Sequence, residues 1–172
     1  HYLLFYHRAA PDDSVASPRA LAAALALSPA AYMRKSALAA AQIGDWELLR
    51  SLAWAGADYH AARKALAKNP AKARRRKPKS VIGWEPFVAA AVAHDAPPDL
   101  VDYFLGLIAD PEARIKLATR CKHWAVVART LESLADLHRL RQLRAFIIRK
   151  HGRFGDVRLL DLVDGALARL GT

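Results

Sequence analysis

Few residues of this 172-residue chain are spaced to do covalent chemistry. Cys121 and His123 stand two apart, the beginning of a zinc-ligand pattern. A structural zinc needs four ligands, and the other histidines are scattered with no pairing at helical spacing. No metal site is expected. Cys121 as a nucleophile would need a partnering base and an activated thiolate. Its place in an apolar helical stretch predicts a small core residue instead. His94-Asp95 falls at a helix end, where a histidine is favoured electrostatically and an aspartate starts a turn. Asp161 and Asp164 interleave with Leu160, Leu162 and Val163, the pattern of one wet and one buried helix face. The eight glycines stand singly at helix ends, so no glycine-rich phosphate cradle is formed. Neither a cofactor nor an enzymatic activity is expected.

The elements that must carry these residues are helical. Alanine (37) and leucine (24) make up about a third of the chain, against 15 Val and Ile and 3 Thr. That balance favours helix over sheet. With 53% of residues apolar, the chain is not intrinsically disordered. One domain of this length buries roughly 70% of its unfolded surface. The longest uncharged run, Ala20–Met33, has 14 residues and is broken by Pro29. A membrane-spanning helix needs about 20. A single cysteine excludes an internal disulfide and fits a reducing compartment. The chain begins with His1 and no signal-peptide pattern follows, so a fragment of a longer protein is expected.

Cap signals divide the chain. Ser17-Pro18 and Ser28-Pro29 each pair an N-cap with proline at the first helical position. They open Arg19–Leu27 and Ala30–Ile43. Gly44 suits the position past a helix end and Asp45 caps Trp46–Ala55. Residues 1–9 read as the end of an apolar helix, and further helices are predicted at Asp58–Lys68, Glu85–His94, Asp99–Ile108, Glu112–Cys121, Lys122–Leu134, Asp136–His151 and Asp156–Leu170. Nine or ten helices with short connections are expected, neighbours running antiparallel. A weak repeat sets Trp46 on Trp124, so that Ala37–Leu52 lies over Ile115–Thr130; Phe154 stands in the same place in a fainter third copy. Stacked helix pairs of this kind form an α-solenoid. The expected fold is therefore all-α, a single solenoid over residues 1–172, with a compact helical bundle as the alternative.

The formal charge of +11 is unevenly placed. Nine bases and no acid lie within Arg63–Lys79, and the remainder holds 18 bases against 16 acids, a net of +2. Pro70 and Pro78 make this segment a poor helix, and a solvated basic loop is expected. Arg74, Arg75, Arg76 and Lys77 are its candidate contacts to an anion such as a phosphoinositide head group. The alternative function is an α-helical nucleic-acid-binding module using residues 63–79, disfavoured because such a footprint usually spreads over a face.

The most individual stretch is Lys77–Val88, where Trp84, Phe87, Gly83 and Pro86 crowd together. It predicts a tight bend at Gly83 into a helix with Pro86 in its first turn. Trp46, Trp84, Phe87 and Trp124 follow turns and are expected to lock helix pairs by burial.

Basic residues, then Ser80, then Ile82-Gly83-Trp84-Glu85-Pro86-Phe87-Val88 resemble the C-terminal region of the vacuolar protein sorting-associated protein 16 family, or of its paralogue that pairs with a second SM-family protein. The resemblance extends upstream through Asp45-Trp46-Glu47-Leu48-Leu49 and, more loosely, downstream through Asp110–Arg114 and Ile115–Thr130. The family's usual link between these motifs is short, whereas here Gly56–Arg76 adds about 20 residues; the basic insertion spans about 56–79. The resemblance implies an α-solenoid without catalytic residues. It implies binding of an SM-family protein (vacuolar protein sorting-associated protein 33 type) among HOPS or CORVET tethering subunits. The location it implies is cytoplasmic, peripheral on late endosomes and the vacuole or lysosome. Tyr32, Arg34 and Lys35 are expected to be solvent-facing partner contacts on the early helices.

Overall fold

The computed structural model describes residues 17–55, 80–151 and 157–171. Its nine helices among those residues are α1 (Pro18–Ala24), α2 (Pro29–Gln42), α3 (Trp46–Ala55), α4 (Glu85–Ala93), α5 (Pro98–Gly106), α6 (Pro111–Arg120), α7 (Trp124–Ser133), α8 (Leu137–His151) and α9 (Val157–Leu170). No strand occurs among them, so the all-α expectation holds. The predicted helix end at residues 1–9 and the predicted helix Asp58–Lys68 lie outside the described residues.

The starts follow the cap signals. Ser17 Oγ accepts from the Ala20 N–H at 3.3 Å and Ser28 Oγ from the Ala31 N–H at 3.2 Å, each ahead of a first-turn proline. Asp45 Oδ1 accepts from the Leu48 N–H at 3.0 Å. Asp110 accepts from both Glu112 and Ala113 ahead of Pro111. Each cap satisfies donors that the first helical turn leaves unpaired.

Five of the described helix ends share one device. After α2, the Gly44 N–H donates to the Ala41 carbonyl at 3.0 Å and the Asp45 N–H to Ala40 at 3.0 Å, with Gly44 at φ +68°. After α6, the Lys122 N–H donates to Thr119 at 3.1 Å and His123 to Ala118 at 2.9 Å, with Lys122 at φ +63°. These are Schellman turns, and the two match atom for atom at the spacing that sets Trp46 on Trp124. Ala26, Asp95 and Ala135 adopt the same left-handed backbone after α1, α4 and α7. The predicted helix from Lys122 therefore starts two residues later, at Trp124.

The chain divides into two compact units, residues 1–107 and 108–172. In the first, α2 packs on α3 and α4, and α4 on α5. Met33, Leu49, Leu52, Phe87, Phe104 and Leu105 are fully enclosed there. In the second, α7 packs on α6, α8 and α9, and α8 on α9. Leu131, Leu140, Ile147 and Val163 form its centre. The repeat carries through to burial: Ala40, Leu49 and Ala53 in one unit, like Ala118, Val127 and Leu131 in the other, are all buried.

Candidate functional site

The Ser80–Val88 stretch builds a self-closed turn. Ser80 Oγ donates to the Gly83 carbonyl at 2.6 Å and accepts from the Ile82 N–H at 3.2 Å. Gly83 sits at φ +72°, the bend expected of it. Ser80 Oγ also lies 3.7 Å from Met33 Sδ, which fixes the turn against α2. From there Trp84 packs on Phe87 at 5.7 Å between ring centroids, and Phe87 on Phe104 at 5.3 Å. Tyr103 stands edge-on to Phe104, and the Arg50 guanidinium lies 5.2 Å over the Tyr103 ring. The aromatics thus tie α3, α4 and α5 together. Phe87 is wholly buried as expected, whereas Trp46, Trp84 and Trp124 are half-buried. Pro86 lies in the first turn of α4 and is half-buried.

The three expected partner contacts on α2 separate. Arg34 and Lys35 are exposed. Tyr32 is buried, grouped with Ala22 and Ala39. It faces inward because small alanines leave room for a ring between α1 and α2. Arg74, Arg75, Arg76 and Lys77 lie outside the described residues.

Cys121 departs from the core role predicted for it. It is the C-cap of α6, half-exposed, because the chain turns at Lys122 rather than continuing as helix. Partial burial pushes its thiol up, against the opposing charge of Arg120. His94 is the C-cap of α4 and Asp95 the left-handed residue after it, a turn as expected. Among the described residues no group of three or more His, Cys, Asp or Glu is placed to hold a metal ion. No described helix is long and apolar enough to cross a membrane.

Ion pairs in the second unit were not visible in the sequence. Arg139 grips Glu112 bidentately, at 2.6 and 2.8 Å, and also donates to Asp136 at 2.5 Å. Arg144 pairs with Asp164 at 2.5 Å and Arg169 with Glu132 at 2.6 Å. Hydrogen bonds from these guanidiniums hold the Glu112 and Glu132 carboxyls below their ordinary range. Asp136 is lowered first by the Arg139 backbone N–H and then by its side chain. Asp164 takes up the aspartate pair's second member, while Asp161 is exposed on the same helix.

Charge also divides between the units. Outside Arg63–Lys79 the first unit holds 5 bases against 9 acids, a net of −4. The second holds 13 bases against 7 acids, a net of +6. The near-neutral remainder inferred from the sequence is therefore the sum of an acidic remainder of the first unit, which Arg63–Lys79 brings to a net of +5, and a basic second unit.

Comparison with protein-family models, with curated proteins and with solved structures found no match.

Proposed function

We propose that this chain is a non-catalytic helical scaffold, an α-solenoid of stacked antiparallel pairs. Its partner on this reading is an SM-family protein in a HOPS- or CORVET-type tethering assembly at endosomal and vacuolar or lysosomal membranes. The observation that carries the scaffold is the duplicated helix–turn–Trp–helix unit, with matching Schellman hydrogen bonds at Ala40–Asp45 and Ala118–His123. A unit repeated with the same buried positions suits stacking, which buries faces that one pair leaves open. The partner's class rests on the motif resemblance at Ile82–Val88. The Ser80–Gly83 hydrogen bond and the Trp84–Phe87 packing give that motif a definite shape in this chain. Arg34 and Lys35 are the α2 contacts that stay exposed.

The test is co-purification of the chain with an SM-family protein, parent against Arg34→Glu/Lys35→Glu. Charge reversal at an interface weakens binding without altering helicity. Loss of tenfold or more in affinity with unchanged circular dichroism is expected. Failure of the parent to bind any SM-family protein refutes the partner; unchanged affinity in the variant refutes the α2 site.

A further inference from the structure

The second unit carries a basic patch that neither the ion pairs nor the scaffold reading uses. Trp124, the first residue of α7, packs on Phe146 of α8 with ring centroids 5.0 Å apart. The Lys150 ammonium lies 5.9 Å from the Trp124 centroid and 5.6 Å from that of Phe146. Both rings are left half-buried. Lys122 stands two residues before Trp124 and Arg120 ends α6, while Arg149 precedes Lys150 on α8. All four cations are exposed. None is paired with a carboxylate among the described residues, in contrast to Arg139, Arg144 and Arg169.

Cations at helix C-termini complement the helix dipole, which accounts for Arg120 and for one base at the end of α8. It does not account for Lys122. That residue holds a left-handed backbone where glycine is favoured and lysine costs about 1–2 kcal/mol. Nor does it account for a tryptophan left partly in water with the Lys150 ammonium over its ring.

We propose that Arg120, Lys122, Arg149 and Lys150, around the Trp124–Phe146 pair, form a docking surface for an anionic phospholipid membrane. Half-exposed aromatic rings suit the boundary between head groups and acyl chains, because one part of the ring is apolar and the other tolerates water. Lys and Arg beside them reach lipid phosphates while their stems cover apolar surface. Nucleic acid fits less well. Single-strand binding stacks bases on free ring faces, and here those faces are engaged by each other and by Lys150. Its four cations are different residues from those of the basic segment 63–79, and it does not depend on an SM-family partner.

The test uses the full chain and vesicles of phosphatidylcholine with and without phosphatidylserine, at physiological ionic strength. Near an anionic surface each cation contributes up to about fivefold in binding. Arg120→Gln/Lys122→Gln/Arg149→Gln/Lys150→Gln is expected to lose at least tenfold in partition onto phosphatidylserine vesicles, with its melting temperature unchanged. Arg74→Gln/Arg75→Gln/Arg76→Gln/Lys77→Gln is expected to keep binding that the four patch substitutions then remove. Trp124→Phe gives a second measurement that preserves the packed core. Brominated lipid should quench the parent's tryptophan emission and quench this variant's less. Equal partition of the patch variant and the parent overturns the proposal. So does equal quenching of the parent and Trp124→Phe, or equal binding to neutral vesicles. Tighter binding of the parent to duplex DNA than to vesicles, lost in the patch variant, would make the surface a nucleic-acid site and overturn it too.

Discussion

Among the described residues of the first unit, Ser36 is a buried polar side chain left unsatisfied. It lies in α2 with 5% of its surface exposed, and its hydroxyl has no hydrogen-bond partner among the described residues. Its neighbours along the same buried face are Met33, Ala37 and Ala40. A buried hydroxyl without a partner costs about 1–3 kcal/mol. Ser36→Ala removes that cost and gains about 0.5 kcal/mol in helix propensity. The loss of one oxygen's packing offsets part of this, leaving an expected stabilisation of about 1–2 kcal/mol. For a chain of this size each kcal/mol is worth about 2–4 °C in melting temperature. Ser51 supplies the control. It is equally buried, but its hydroxyl donates to the Leu48 carbonyl at 2.8 Å. Ser51→Ala should be neutral or destabilising by up to about 1 kcal/mol, since a satisfied bond is lost. Urea unfolding followed by circular dichroism measures both, and an unchanged slope identifies a true stability change. A destabilised Ser36→Ala, or two serines that respond alike, would refute the reasoning.

Two glycines should respond in opposite directions. Gly83→Ala forces a side chain into left-handed backbone at φ +72° and should cost about 1–2 kcal/mol in the same urea titration. Gly106→Ala, at the end of α5 where an added Cβ meets nothing within 4 Å, should gain about 0.5–1 kcal/mol. The second unit should lose stability in acid. Glu112, Glu132 and Asp136 have folded pKa values below their unfolded ones. Their contribution is full above the unfolded values near pH 4 and disappears as pH falls through the folded ones. Melting at pH 7 and pH 3 should therefore differ less for Glu112→Gln/Glu132→Gln/Asp136→Asn than for the parent; an unchanged difference would show that these pairs do not couple to folding.

What was legible in the sequence was local. Ser17-Pro18, Ser28-Pro29 and Asp110-Pro111 placed three helix starts, because an N-cap is a bond between residues two or three apart. Gly44 and Gly83 disclosed left-handed backbone because glycine adopts it freely. Ala26, Lys122 and Ala135 hid the same conformation, since nothing in an alanine or a lysine announces it. At those ends two Schellman hydrogen bonds outweigh the backbone cost. That explains why α7 begins at Trp124 and why Cys121 sits in a turn rather than in the core. The face of Tyr32 is not legible because small, evenly spread alanines give α2 little periodicity to choose it. The pairing of Glu112 with Arg139, 27 residues apart, depends on where α6 and α8 meet and leaves no trace in spacing.

Charge shows most clearly how folding redistributes what a sequence lists. α8 contains five bases and no acid, and by composition alone reads as a uniformly basic helix. Packing sorts the five by direction. Arg139 points to Glu112 and Asp136, and Arg144 to Asp164, so two of the charges are matched within the unit. Such exposed pairs contribute little stability singly. Their effect here is to use up flanking cations and join α8 to α6 and α9. Lys150 instead shares the Trp124–Phe146 rings, and Arg141 and Arg149 face solvent without a carboxylate among the described residues. A variant chosen from composition would neutralise Arg139 or Arg144 along with the rest. It would orphan Glu112, Asp136 or Asp164 and mix altered packing into any loss of binding. Charge removed only at residues without a carboxylate partner among the described residues changes the surface potential and leaves the ion-pair joints between helices intact. The basic patch can therefore be separated experimentally from the fold that presents it.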